Sequence, residues 1–414
     1  MLITVLRYRR TWLILLGLSL SVVVLIRCNE KPGKEAKPNK STAFDSYAGS
    51  AKCASCHQDI YEKHLLTAHF LTSSLAAEQT IKGSFAEGKN TFIFNSQDMV
   101  QMEKRDSGFY QVEYIQGAER KARRFDISVG SGTRGQTYLY WWKDTLFQMP
   151  ITYFTATQSW SNSPGYSNRA MFGRPVTSRC LECHSTFAQV TSPADAKVEE
   201  FDKSRMILAV DCERCHGPAA KHVDYQTKHP EDKVGQFVID PKGFTRQQSL
   251  DMCALCHGGR LTKTKPSFSF QAGDKLDDYF EPRVLTPNPA DIDVHGNQYG
   301  LLAASKCFSM SELSCLSCHN PHENEKGKLA LYSQRCMTCH NPTQGHECRL
   351  LPKEGAVITQ NCIDCHMPEQ RSGAIQVLLQ GELTPTPATM RTHYISIYPD
   401  ETKKILDALH KKNK

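Results

Sequence analysis

The pattern of apolar and polar positions changes character several times along the chain. Arg7, Arg9 and Arg10 precede an apolar run from Trp12 to Ile26, and a stretch rich in Lys, Pro, Glu and Ser follows from Asn29 to Ser46. From Gln58 to Ala77 the residues Ile60, Leu65, Leu66, Phe70 and Leu71 recur at a roughly helical period, which predicts a helix carrying His64 and His69. The pattern then turns to β-branched and aromatic residues in partial alternation. Thr91 to Phe94, Phe109 to Ile115, Phe125 to Val129, Thr137 to Trp141 and Leu146 to Met149 predict strands, with a hairpin turn at Lys143-Asp144. Gly130, Gly132 and Gly135 read as a strand-end turn, since no phosphate-loop pattern follows them. Near the C-terminus lie an apolar segment, Ile375 to Leu379, and a Lys-rich helix expected from Asp400 to Lys411.

Seven pentapeptides of the form Cys-x-x-Cys-His cut across this pattern. They pair Cys53, Cys56 and His57; Cys180, Cys183 and His184; Cys212, Cys215 and His216; Cys253, Cys256 and His257; Cys315, Cys318 and His319; Cys336, Cys339 and His340; and Cys362, Cys365 and His366. This is the attachment signature of c-type haem: both thiols bond the porphyrin and the adjacent imidazole binds iron. Structural zinc is the competing reading of a Cys-x-x-Cys pair, but it needs four ligands and does not require His at one fixed offset. Fourteen of the 17 cysteines fall in these motifs, so the expected cofactors are seven covalently bound haem c groups.

The motifs divide the chain. Residues 1–28 read as a signal or anchor, 29–46 as a flexible tether, 47–85 as the first haem segment and 86–157 as a β-rich insertion. Residues 158–260 carry haems two to four, 261–312 a connector, 313–370 haems five to seven, and 371–414 a C-terminal segment. Motif spacing is irregular, so solenoid stacking is not implied.

The formal charge of +7 changes little in this picture, because Arg7, Arg9, Arg10 and Arg27 supply four of those charges. Haem propionates offset more, and no basic stripe interleaved with aromatics points to nucleic acid. The apolar run is shorter than the roughly 20 residues of a comfortable membrane span and fits the core of an export signal. Leu25-Ile26-Arg27-Cys28 resembles a lipobox, departing from it at Arg27. Export to the periplasm or cell surface is therefore expected, with the membrane held through a lipidated Cys28 or an uncleaved signal anchor. Other redox proteins of the envelope are the expected partners.

The second axial ligand of each iron sets its chemistry: His gives a low-potential carrier, Met raises the potential, and an open position admits substrate. Of 16 histidines, nine lie outside the motifs. His69, His222, His295, His322 and His393 are the favoured distal ligands, with His346 a further candidate; His64, His229 and His410 are less favoured. Met171, Met252, Met310 and Met390 are sulfur alternatives, though packing explains each. Cys307 and Cys348 remain in the mature body, and an even pair in an oxidising compartment reads as a disulfide.

Several motifs also resemble those of a known group. Tyr47-Ala-Gly-Ser-Ala-Lys-Cys53 with Thr67-Ala-His69, Cys212-Glu-Arg-Cys-His-Gly-Pro218 with His222, Cys315-Leu-Ser-Cys-His-Asn-Pro-His322, and Cys362-Ile-Asp-Cys-His-Met-Pro368 are similar to signatures of the cytochrome c-554-like multihaem family. The resemblance implies closely packed, mostly bis-His haems, with His69, His222, His322 and His393 as distal ligands. It also implies a mainly α architecture with long loops around a haem core, to which the residues above add a small antiparallel β insertion. The chain lacks the tetratricopeptide array found in many members.

Two functions follow. One is electron transfer along a chain of haems between redox partners at the cell envelope. The other is reduction or oxidation of a small nitrogen or sulfur compound at one iron with an open axial position, where Arg169, Arg174, Lys or Tyr would handle protons and oxyanions. Those arginines also suit haem propionates.

Overall fold

The computed structural model describes residues 44–282 and 288–412. The expected signal, the Cys28 lipobox and most of the tether lie outside the described residues. From Ser46 onward the chain forms one compact unit, separate from the unit that ends at Asp45. Among the described residues, no helix is long and apolar enough to cross a membrane.

Four antiparallel sheets occur among the described residues. Thr91–Ile93, Asp98–Arg105, Gly108–Ile115 and Ala118–Arg124 form a simple meander, in that spatial order. Its last turn, Gln116-Gly117, has φ values of 52° and 77°, which the twist of a two-residue hairpin favours. A seven-stranded sheet is built around Gly135–Trp142. Ile127–Val129 flanks one side of this strand, while Thr145–Gln148 and Ile151–Phe154 share the other. Ser73–Leu75, Ser159–Asn162 and Arg174–Pro175 complete it. The expected turn at Lys143-Asp144 is present, with Lys143 at φ 53°.

Successive side chains of a strand point to opposite faces, and the central strand buries both. Tyr138 and Tyr140 pack with Phe92, Val100, Met102 and Trp160 in the cluster shared with the meander. Leu139 lies in the opposite cluster with Ile127, Leu146, Val176, Leu181 and Phe201. Leu181 belongs to the second Cys-x-x-Cys-His motif, so the far face of the sheet seats that motif's helix, Ser178–His184. Each large apolar side chain buried in these clusters stabilises the fold by about 1.5–3 kcal/mol.

The architecture is therefore not mainly α. It is about 31% helical and 24% strand, with several antiparallel sheets. The sandwich runs past residue 157, because Ser159–Asn162 and Arg174–Pro175 belong to its larger sheet. Two further hairpins join Ser185–Val190 to Phe201–Leu208 and Glu369–Val377 to Thr386–Arg391. Ser185–Val190 is buried over its first four residues, Phe201–Leu208 and Glu369–Val377 are largely half-exposed or exposed, and register shifts interrupt both pairings, so their sequences lack the clean alternation that marks a strand. The helix expected from 58 to 77 ends at His64. The Thr67 hydroxyl donates to the His64 carbonyl and accepts the Phe70 N–H, which turns the chain. Ser73–Leu75 is then drawn into the sheet against Ile127–Val129, a tertiary pairing that local periodicity cannot register.

Core is unevenly distributed. The 261–312 connector has a cluster of its own, Phe270, Leu276 and Phe280 with Ala254 and Leu255. In residues 313–370, by contrast, Ile363 and Pro368 are the apolar side chains that are buried.

Candidate functional site

All seven pentapeptides begin on short helices: Ser50–Ala54, Ser178–His184, Cys212–His216, Arg246–His257, Cys315–Cys318, Leu329–Met337 and Cys362–His366. A helical turn brings residues three and four apart onto one face, which gathers the two thiols and the imidazole. Local caps fix several of these turns. Asp211 accepts the Cys212 N–H at 2.8 Å, Asn361 accepts the Asp364 N–H at 3.3 Å, and Thr245 with Gln248 forms a capping box.

The motifs touch one another through their thiols. Cys53 lies beside Cys212, Cys183 beside Cys256, Cys253 beside Cys315, and Cys336 beside Cys362. Cys215 lies within electrostatic reach of Cys253, and Cys318 of Cys336. These contacts give a spatial order of one, three, four, five, six, seven, with motif two branching from motif four.

The imidazoles are oriented by their outer nitrogens. In six of the seven motifs Nδ1 meets an oxygen: His184 at Thr72 Oγ1 (2.9 Å), His216 at Ile239 O (2.9 Å), His257 at Gln298 Oε1 (3.2 Å), His319 at the Tyr332 hydroxyl (3.4 Å), His340 at His346 O (2.9 Å) and His366 at Ser396 O (2.8 Å). Such a bond fixes ring and tautomer and leaves Nε2 for a metal.

Three motif imidazoles face a second ring. His257 and His69 have centroids 6.2 Å apart, His216 and His322 are 6.0 Å apart, and His319 and His393 are 6.2 Å apart. Two imidazoles on one metal, each nitrogen about 2 Å from it, have centroids roughly 6 Å apart. His295 lies within electrostatic reach of His184. Burial, reinforced by neighbouring imidazoles, pushes His69, His184 and His393 down to about 4, so these rings are neutral, as a ligand must be.

Charged residues inside the motifs brace the arrangement. Buried Glu213 accepts the backbone N–H groups of Ala48, Gly49 and Ala219, each at 2.8 Å, tying the approach to motif one against motif three. Glu182 accepts the Phe268 N–H and pairs with Arg179, whose other nitrogen donates to the Leu255 carbonyl beside motif four. Asp364 pairs with Arg391, which also donates to the carbonyls of Ile363 and Met367. Asp293 accepts the His295 N–H and holds Ser372, Gly373 and Ala374 of the C-terminal hairpin.

The other expected residues fall as follows. His222 donates its Nδ1–H to Gln236 O, 2.7 Å away, and sits on the helix Ala220–Lys228, whose first N–H bonds Ser46 O near motif one. His346 meets His340 with its carbonyl at Nδ1, the far side of that ring from Nε2, and its own side chain is exposed. His346 therefore does not stand as the second ligand to His340. His64 is buried against Asp211, His229 lies tilted against the Tyr225 ring, and His410 bonds Glu354. Cys307 and Cys348 are free thiols and are not joined. Cys307 sits near Cys318 and Cys339, whereas Cys348 sits near Cys365, so each lies beside a different motif. Arg174 bonds Pro164 O and lies over Tyr166, within the sheet sandwich. Met390 packs in two apolar clusters and Met310 is exposed. Thr72, Gln298 and Tyr332 have no signal in sequence, while Glu182 and Glu213 stand between paired cysteines, where an unusual acid could have been noticed.

The donor set fits haem c and not zinc. Among the described residues no group of three or more His, Cys, Asp or Glu side chains is placed to hold a metal ion, whereas haem iron needs only the paired imidazoles. Residues 152–217 match the family described as cytochrome c554 and c-prime. The fold is similar to the crystal structure of outer cell wall cytochrome OcwA, with a TM-score of 0.52 and 17% identity over 87% of this chain and 81% of that one. No curated protein sequence matches.

Proposed function

We propose that this chain, a multihaem protein like cytochrome c-554, binds seven haem c groups and passes electrons along them between redox partners at the cell envelope. The observation that carries the reading is the set of facing imidazole pairs at about 6 Å, with the outer nitrogens of His216, His257 and His319 held by oxygen acceptors. When bound, haem iron supplies one-electron storage without bond making. The chain's part is to hold each thiol pair, orient each imidazole and set the spacing.

In this reading His69 serves with His257, His322 with His216, His393 with His319, and His295 with His184. His222 serves with His57, because its helix is tied to the entry of motif one. The thiol contacts order the groups as a line from motif one to motif seven, with motif two as a spur at motif four. Outer cell wall cytochrome OcwA is an envelope protein by its description. Together with the Arg7 to Ile26 pattern, this supports an exported chain, tethered through lipidated Cys28 or a signal anchor. Redox proteins of the envelope are then the partners.

The placement of His346 keeps a second reading in view at the sixth motif, where His340 would face an exchangeable position open to a small nitrogen or sulfur compound. Intact mass of the exported protein and electron paramagnetic resonance separate the readings. Seven added macrocycles and wholly low-spin ferric iron, unchanged by nitrite, hydroxylamine or carbon monoxide, fit the relay. A high-spin fraction that binds these ligands fits the enzyme, and absence of macrocycles ends both.

A further inference from the structure

We infer that Gln298 is a positioning residue that sets the reduction potential of the group held by motif four, the branch point of the chain. This rests on the reading of His257 as an iron ligand.

The carboxamide of Gln298 is held from both ends. Its Nε2 donates to the Val294 carbonyl at 3.2 Å, which leaves Oε1, 3.2 Å from His257 Nδ1, as the acceptor. Flipping the amide would put donor against donor at His257 and acceptor against acceptor at Val294. The backbone around it is equally fixed. Gln298 opens the helix Gln298–Ala303, capped by Asn297, whose Oδ1 accepts the Gly300 N–H at 3.1 Å. Val294 and Leu301 are buried on either side, and Gly259 N donates to Gly296 O at 2.7 Å, tying this loop to the residues just after motif four.

Three other motif imidazoles, His216, His340 and His366, give Nδ1 to backbone carbonyls, an acceptor that sequence variation cannot exchange. At His257 the acceptor is a side chain. With Nε2 committed to iron, Nδ1 carries the proton, and the strength of its acceptor decides how much electron density the ring gives the metal. A stronger acceptor favours the ferric form and lowers the potential. A missing one raises it.

The test is a spectroelectrochemical titration of the full, haem-loaded protein and two variants, with intact mass recorded for each. Gln298→Leu removes the acceptor, and Gln298→Glu, which keeps the shape, strengthens it. The inference expects one and the same component to move most in both variants and in opposite directions, upward for Leu and downward for Glu. The expected size is about tenfold in its reduction equilibrium, or about 59 mV for one electron. A purely structural role would move that component the same way in both. That result, or no movement with the full haem complement present, overturns the inference while leaving the ligand reading intact. A wild-type protein lacking the macrocycle at motif four removes the reading, and the inference with it.

Discussion

Gln111 pairs with Ile151 through both edges of its side chain: Oε1 accepts the Ile151 N–H at 3.1 Å and Nε2 donates to the Ile151 carbonyl at 2.7 Å. The side chain is fully buried between the meander and the larger sheet and completes, in place of backbone, the ladder that Ile151 would otherwise lack. Replacing it with Leu keeps the volume and orphans two backbone groups. An unpaired buried group costs about 1–3 kcal/mol, so Gln111→Leu is expected to lower the guanidinium midpoint clearly. An unchanged midpoint would mean the bonds are not made in solution.

Gly83 lies beneath the Trp160 ring, and a Cβ built on it would fall 2.0 Å from the indole. The indole N–H also donates to Ser84 O at 2.8 Å, so the ring cannot swing away without losing that bond. Gly83→Ala is expected to destabilise by about 1–3 kcal/mol through overpacking. The check is the thermal midpoint; a variant as stable as the wild type would show that the ring moves freely.

The facing imidazole pairs differ in the angle between their planes: 16° for His216 and His322, 29° for His319 and His393, and 65° for His69 and His257. Near-parallel rings both donate to one iron dπ orbital and split the pair, whereas crossed rings leave the two nearly equal. Ferric spectra at low temperature should therefore contain ordinary rhombic signals and one highly anisotropic signal. The His69→Met variant should lose the anisotropic signal, and His322→Met should lose a rhombic one. Loss of the same signal in both variants would contradict the assignments.

Arg134 and Glu369, 3.0 Å apart, link the strand region before Gly135 to the C-terminal hairpin. The guanidinium holds the Glu369 carboxyl below its usual range, with Thr389 helping. A depressed carboxyl contributes stability that is complete above the unfolded value of about 4.3 and fades as pH falls through the folded value. The pair is exposed, so Glu369→Gln should cost about 1 kcal/mol or less at neutral pH. The cost should be smaller in high salt and vanish near pH 3. Denaturation midpoints across pH and salt would measure it, and a cost that persists in acid would point to packing instead.

The parts of this molecule that were legible in sequence are those where one residue type has one use. The Cys-x-x-Cys-His spacing located every thiol and motif imidazole, and the alternation at Thr137 to Trp141 located the strand on which both clusters close. His69 and His322 sit in motif-like settings and His393 is carried by the family resemblance, and each of the three faces a motif imidazole. What sequence hid was relational. Thr72 and Gln298 meet imidazoles 112 and 41 residues away, and nothing local distinguishes them from surface residues. Ser185–Val190 is buried over four successive residues and Phe201–Leu208 is largely half-exposed, and register shifts interrupt their pairing, so neither alternates cleanly and the sequence reads as more helical than the chain is. Cys307 and Cys348 pair by count alone in sequence, which says nothing of their surroundings: Cys307 lies near Cys318 and Cys339, and Cys348 near Cys365.

The uneven spread of buried side chains bears on how the protein matures. On the proposed reading, the sheet sandwich and the helix seated on its far face, which close two apolar clusters of their own, are expected to fold before any porphyrin is joined and so to present Cys180 and Cys183 on a finished template. Residues 313–370, with Ile363 nearly alone as a buried apolar anchor, are expected on the same reading to gain their interior only as the macrocycles arrive. A cell starved of haem would accordingly accumulate a protease-resistant front portion, trimmed of its last three attachment sites.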